Sequence, residues 1–352
     1  MHENNILITG MGGNLAHFIF RCAQRSSIPF RVFAADYHWN AVGLYNAEKG
    51  YVVPAAEADD YIEKIIQICY QDNIKMICAG GMEEMRKLAL HSKKIYEESG
   101  AYVMSSSSEV LKRAEDKFTS LEMLSAYGLE SPLSILPHEI KSSEPKLPLG
   151  LKLPLVIKDR FGAGSKNVCI ARTQIEFDKA LETVPNPVIQ EYLEPEDQEY
   201  TVGVFLDRNS NVKGSIIMKR TLGLGLTLKG SIVEHKEIAA YAEKAVSILR
   251  LVGPVNVQLR LTPSRGPVAF EVNPRFSSTT SARALFGYNE VEMSYRTFCL
   301  NEDVERPNVK TGIFYRIMEE IVVPSERTHM VRNTGKIESC YCDITSDVSS
   351  TE

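Results

Sequence analysis

A chain of 352 residues, 44% hydrophobic and 24% charged, carries enough apolar material for two or three compact domains. Its formal charge of -5 gives no long-range attraction for a polyanion, so nucleic acid and anionic membrane are disfavoured as main partners. No segment approaches a membrane span, and Met1 leads into a strand-like run rather than a basic start and a long apolar stretch, so a cytoplasmic location is expected.

In chain order, Asn5–Thr9 reads as a buried strand, Gly10–Gly13 as a tight turn, and Asn14–Arg25 as a helix with small and apolar residues at helical spacing. A strand at Arg31–Ala35, a helix near Asp59–Gln71, a strand at Lys75–Ala79, a helix near Glu83–Ser99 and a short strand at Ala101–Met104 continue the alternation. Strands spaced by helices predict a parallel, helix-covered sheet. The glycine turn, with Asp36 after the second strand, invites a dinucleotide reading, but Leu15 stands at the third glycine position of that fingerprint. A structural turn or a site for another small ligand stays open.

Ser106 and Glu109 have the spacing of a capping box, and the helical pattern behind them lasts to Tyr127-Gly128. His138–Pro154, rich in Lys, Ser and Pro, reads as a loop into a new unit. Beyond it strands are predicted at Leu155–Lys158, Val188–Leu193, Glu199–Leu206, Val212–Lys219, Val255–Leu261 and Val268–Asn273, with helices near Gln174–Glu182 and Glu237–Leu251. The expected class is α/β followed by α+β, with domains at 1–108 and 109–327 and a polar tail, 328–352, that frays. The seven cysteines are odd in number and scattered in apolar runs, as reduced core thiols are; Cys340 and Cys342 lack the second cluster a zinc site needs.

The chemistry lies in the second half. Lys158 ends an apolar strand, and Phe161–Val168 follows as a glycine loop containing Gly162, Gly164 and Ser165, whose backbone amides can approach phosphate oxygens. A plain hairpin would look similar, and no Gly-Lys-Ser/Thr closes a Walker A loop. Val188–Glu194 then runs a strand into Glu191-Tyr192-Leu193, a peptide edge suited to a purine, with Glu199 a few residues on as an acceptor for ribose hydroxyls. Surface carboxylates at strand ends are the plainer alternative. In Val255–Leu261 and Val268–Arg275, strand alternation turns Val257, Leu259, Leu261, Phe270 and Val272 to the core and Gln258, Arg260, Glu271 and Asn273 the other way. These oxygen donors suit Mg²⁺ completed by nucleotide phosphates, and Arg275 could grip a carboxylate or phosphoryl group; a satisfied polar face with an Arg–Glu pair is the bland alternative.

Taken in order, these motifs resemble the ATP-grasp superfamily, in particular its carbamoyl-phosphate-synthase-like and biotin-carboxylase-like carboxylate-amine ligases, over essentially the whole chain. The resemblance implies that 1–108 is the pre-grasp α/β domain and 109–327 the ATP-grasp domain, with a mobile lid at about 150–195. It implies ATP contacts by Lys117, Lys158, Gly162, Gly164, Ser165, Glu191, Tyr192, Leu193 and Glu199, Mg²⁺ ligation by Gln258, Glu271 and Asn273, and catalytic cations at Arg275, Arg260 and Lys219. Asp159 departs from the proline many relatives carry, and Lys219, Arg220 and Lys229 flank a second glycine-rich segment, 223–230, with no matched family contact. The implied activity joins a small carboxylate, through an acyl phosphate, to an amine, amino acids included, and a homodimer is compatible with it. Kinase-like transfer to a stable acceptor and a non-catalytic ATP-binding module are the alternatives.

Overall fold

The computed structural model describes residues 3–140, 150–162, 167–223, 226–317 and 321–338. Contacts divide the chain into two compact units, Met1–Ser108 with Phe276–Val304 and Arg316–Glu352, and Glu109–Arg275 with Glu305–Tyr315. Segments expected in the second domain and in the tail therefore group with the N-terminal unit.

In the first unit, β1 (Asn4–Thr9), β2 (Phe30–Asp36), β3 (Lys49–Val52), β4 (Met76–Ala79) and β5 (Tyr102–Val103) form a sheet in the order β3-β2-β1-β4-β5, with every pair parallel. Ile6, Leu7 and Ile8 are fully buried, as a central strand covered on both faces requires. The expected helix from Glu83 to Ser99 is two, Met82–Leu90 and Ser92–Ser99, parted where His91 leaves helical geometry; each buries residues of its own, Met85 and Leu88 in one and Ile95 in the other. The expected fraying from Thr328 does not extend to 338. A helix at Ser325–Thr334 and a strand at Lys336–Glu338 follow, and the strand pairs antiparallel with β3. Val331 and Ile337 supply the buried apolar groups, and Gly50 makes room, since a Cβ there would lie 2.8 Å from Ile337 Cγ2.

The second unit has two sheets. The smaller joins β6 (Ser134–Ile135), β7 (Leu155–Asp159), β8 (Val168–Ala171) and β9 (Pro187–Glu191) in the order β6-β9-β7-β8, around a core of Leu155, Ile157, Phe177, Ala180 and Ile189. The larger contains β10 (Glu199–Leu206), β11 (Val212–Gly223), β12 (Leu226–Val233), β13 (Gly253–Thr262), β14 (Gly266–Asn273) and β15 (Gly312–Tyr315), ordered β14-β13-β10-β11-β12-β15 and antiparallel throughout. Alternation gives this sheet one apolar face, with Tyr200, Val202, Val204, Val255, Val257 and Leu259 packed under the helices Lys117–Ala126 and Lys236–Ile248. The other face carries the polar residues of the site.

Two expectations change here. The single helix expected behind Ser106 is broken at Asp116, whose carboxylate accepts from Phe118 N and Thr119 N and so caps a second helix, Lys117–Ala126. Phe270 does not face the core. The β13–β14 register shifts between Gln258 and Leu259, so Leu259 lies opposite Ala269 while Gln258 lies opposite Glu271. The extra residue, Phe270, turns to the polar side, as a bulge allows.

Candidate active site

On β7 and β8 the residues alternating with the small core, Val156, Lys158, Val168 and Ile170, line a cleft of about 290 Å³ with Lys117, Tyr192, Leu193, Glu199, Gln258, Phe270 and Glu271. Lys158 is buried, and its Nζ donates to Phe270 O at 2.8 Å. Burial pushes its ammonium down to about 8, the nearby Lys117 charge adds to this, and Glu271 opposes it.

Lys117, at the first position of its capped helix, sits at the base of the glycine loop: its Nζ donates to Asp159 O (3.2 Å) and to Gly162 O and lies 4.0 Å from Glu271 Oε1. Arg160 forks onto both oxygens of Asp116 at 2.6 Å, tying the same helix to the loop. Asp159 organises the turn, accepting from Phe161 N at 3.0 Å through its carboxylate and from Gly162 N at 3.2 Å through its carbonyl. Gly162 is required there, because a Cβ would lie 2.9 Å from that of Asp159. Gly164 and Ser165 lie outside the described residues.

At the end of β9, Glu191 pairs with Arg265, and Tyr192 Oη reaches Glu196. Arg260 Nη1 donates to Leu193 O, its Nη2 to Glu199 Oε2 at 2.8 Å, and its guanidinium lies near the rings of Tyr192 and Phe270. Arg260, expected among the catalytic cations, thus sits at the hinge end of the cleft. Lys219, also expected among the catalytic cations, does not line this cleft but a neighbouring cavity. A register shift at Phe205/Leu206 puts it opposite Tyr200, with Nζ 5.9 Å from that ring, and brings Arg220 to Glu199 instead. Arg220 donates from Nε to Glu199 Oε1 at 2.8 Å and from Nη2 to Gln258 Oε1 at 2.7 Å. Sequence alone gave no sign of a bulge, so Arg220 went unselected.

Gln258 and Glu271 stand directly opposite on β13 and β14, and Asn273 lies two residues on, opposite Asn256. Arg275 Nη2 donates to Asn273 Oδ1 at 3.1 Å. Among the described residues no group of three or more His, Cys, Asp or Glu gathers as a metal cluster. Gln258, Glu271 and Asn273 instead offer one carboxylate and two amide oxygens on one sheet face, a donor set that fits a hard divalent cation completed by water and phosphate oxygens. Thr201 Oγ1 donates to Asn256 Oδ1 at 2.6 Å in the buried part of that face, a pair the sequence reading passed over.

In the first unit, Asp36 accepts through Oδ2 from Gly12 N at 2.7 Å and through Oδ1 from His38 N at 2.8 Å, so its carboxylate pins the glycine turn to the turn after β2. A cavity of about 680 Å³ beside it is lined by Gly10, Gly12, Gly13 and Glu84. Burial, and secondarily the charge of Asp36, hold the Glu84 carboxyl up to about 7. Cys22, Cys69 and Cys78 are buried and Cys169 and Cys299 half-buried, and Cys340 and Cys342 lie outside the described residues.

Comparison with known proteins matches residues 114–279 to the ATP-grasp domain model and residues 6–103 to a PylC-like N-terminal domain. Residues 114–279 are an ATP-grasp domain. The chain's curated relatives include the carbamoyl phosphate synthase large chains of Pyrococcus furiosus, 25% identical over 262 residues (69% of this chain, 24% of that protein), and Deinococcus radiodurans, 24% identical over 240 residues (63% and 23%). The chain spans about a quarter of the length of the curated relatives it matches. Among solved structures, an ADP complex of N5-carboxyaminoimidazole ribonucleotide synthetase superposes with a TM-score of 0.70 at 18% identity, covering 89% of this chain and 81% of the other. An L-amino acid ligase from Bacillus licheniformis gives 0.64 at 16% identity, covering 85% and 75%. These similarities show the fold. No described helix is long and apolar enough to cross a membrane.

Proposed function

We propose that this protein is an ATP- and Mg²⁺-dependent ligase that activates a carboxylate as an acyl phosphate and couples it to an amine. The observation that carries the reading is the convergence on one cleft of a peptide hinge, an acid beside it, two buried lysines and the facing Gln258–Glu271 pair. In this reading Glu191, Tyr192 and Leu193 receive the adenine, Glu199 the ribose, and Lys117, Lys158 and the loop at Gly162 the phosphates. Gln258, Glu271 and Asn273 would hold Mg²⁺, which when bound supplies charge neutralisation between the phosphate oxygens. Arg275, beside Asn273, is positioned to grip the carboxylate or acyl phosphate. Arg260 acts as a hinge holder, and the small sheet with its own core serves as the lid.

A carboxylate oxygen attacks the γ-phosphorus and ADP leaves; the amine nitrogen then attacks the acyl carbon, phosphate leaves, and the nitrogen loses a proton. Positioning and electrostatics suffice, with no protein nucleophile. The likeness to an L-amino acid ligase favours amino acids among the substrates, and a homodimer and a cytoplasmic location complete the reading. The test is an ADP-release screen over pooled carboxylates and amines with mass analysis of products, repeated with hydroxylamine. A product equal to both substrates less water, and a trapped hydroxamate, are expected. Phosphorylated acceptor without hydroxamate would replace the ligase with a kinase, and ATP-dependent stabilisation without turnover would leave a binding module.

A further inference from the structure

The Glu199 carboxylate is largely committed within the protein, with three of its roughly four acceptor positions taken. Oε1 accepts from Arg220 Nε at 2.8 Å and also from Arg220 Nη2, and Oε2 accepts from Arg260 Nη2 at 2.8 Å. One acceptor position is left on Oε2, so both hydroxyls of a ribose can use this acid together only by replacing one of the two guanidinium groups. The arginines are held differently. Arg260 is fastened to the hinge through Leu193 O and lies 5.9 Å and 6.0 Å from the Tyr192 and Phe270 ring centroids. Arg220 has Gln258 Oε1 as its other acceptor, and it borders a second cavity of about 700 Å³ that also opens on Glu196, Asp197, Lys219 and Lys229. Tyr192, Glu199, Arg220 and Arg260 line both cavities, so their ion pairs form the wall between them.

We propose that Arg220 is a displaceable positioning residue: it competes with a nucleoside's ribose diol for Glu199 and yields by swinging into the second cavity, where Glu196 and Asp197 receive its charge. Arg260 stays and holds the hinge. The inference rests on reading the cleft as a nucleotide site. Its chemical consequence is a selectivity for the diol, because a sugar without hydroxyls offers Glu199 nothing in exchange for a charge-assisted pair. Arg220 also frees Gln258 Oε1 as it leaves, which couples occupation of the ribose position to release of an oxygen on the candidate metal face.

Calorimetric titration of adenosine and 2′,3′-dideoxyadenosine into the full chain tests this, with wild type, Arg220→Met, Arg220→Lys and Arg260→Met compared and each variant's melting temperature recorded. Arg220→Met is expected to bind adenosine about three- to tenfold more tightly than wild type, the range set by loss of a competing ion pair. Dideoxyadenosine affinity should not change, Arg220→Lys should tighten adenosine by less, and Arg260→Met should weaken both ligands. Wild type that binds adenosine, with Arg220→Met binding it equally or more weakly, overturns the proposal and leaves the nucleotide reading standing. Wild type that binds neither ATP nor adenosine removes both. Arg220→Met with a lowered melting temperature and weaker binding of both nucleosides assigns Arg220 a fixed buttressing role and likewise overturns it.

Discussion

Replacing Lys158 by Met separates function from stability in the ATP-grasp cleft. The ammonium is displaced from an ordinary 10.5 to about 8, chiefly by burial. At roughly 1.4 kcal/mol per pH unit, keeping it charged at neutral pH costs the fold about 3 kcal/mol. Methionine removes that cost but also the hydrogen bond to Phe270 O, worth about 1 kcal/mol, so a net stabilisation of about 2 kcal/mol is expected at pH 7. Because the folded pKa lies below the unfolded one, the native state binds fewer protons than the unfolded state between pH 8 and 10.5, and wild-type stability rises with pH there. The advantage of the variant should therefore shrink above pH 8 and vanish by pH 10.5. Nucleotide affinity should move the opposite way, falling by about tenfold or more on loss of one charged phosphate contact. Denaturant unfolding from pH 7 to 10.5, paired with ADP titration, measures both. A destabilised variant with unchanged ADP affinity would refute the reasoning.

Glu271→Gln keeps shape and removes charge at the candidate metal face; turnover should fall roughly 10²-fold with little change in melting temperature, and Arg275→Lys should also be damaging because an ammonium lacks the two-point grip. Steady-state ADP release and melting curves on the same samples decide this against a merely structural Arg–Glu pairing, which predicts lowered stability with activity preserved. Glu84, held up to about 7, binds its proton more tightly in the folded state, so its contribution is present below pH 4.5 and is lost as pH rises through 7. Glu84→Gln should flatten that fall and raise stability at pH 8, read from melting temperature against pH. Asp116→Ala loses a helix cap and the Arg160 fork together, and should destabilise by about 2 kcal/mol in chemical unfolding while weakening ADP binding through the loosened loop.

The positions of Lys158, the Glu191-Tyr192-Leu193 hinge and the Gln258–Glu271 face were legible because strand alternation projects straight from sequence to cleft. Registers were not. Each bulge adds one residue to one strand, and that addition exchanged Lys219 for Arg220 beside Glu199 and carried Phe270 out of the core. Arg260 had the expected face but no assigned neighbour, since alternation does not say how far along the cleft a long side chain reaches. The short strands β3, β8 and β15 escaped notice because four residues without a clear period leave little signal. The Lys336–Glu338 strand lay in a polar stretch whose docking depends on two apolar side chains, too few to shift its composition.

That strand carries a consequence for biogenesis. The sheet has an edge, β3, whose partner is made about 280 residues later in the chain. At roughly 5–20 residues per second, β3 waits on the order of 15–60 s before Lys336–Glu338 arrives. Throughout that interval its amides and carbonyls offer a template to any extended segment nearby. Chain termination before 336 would make the delay permanent, so such fragments should collect in aggregates even when residues 109–275 have folded.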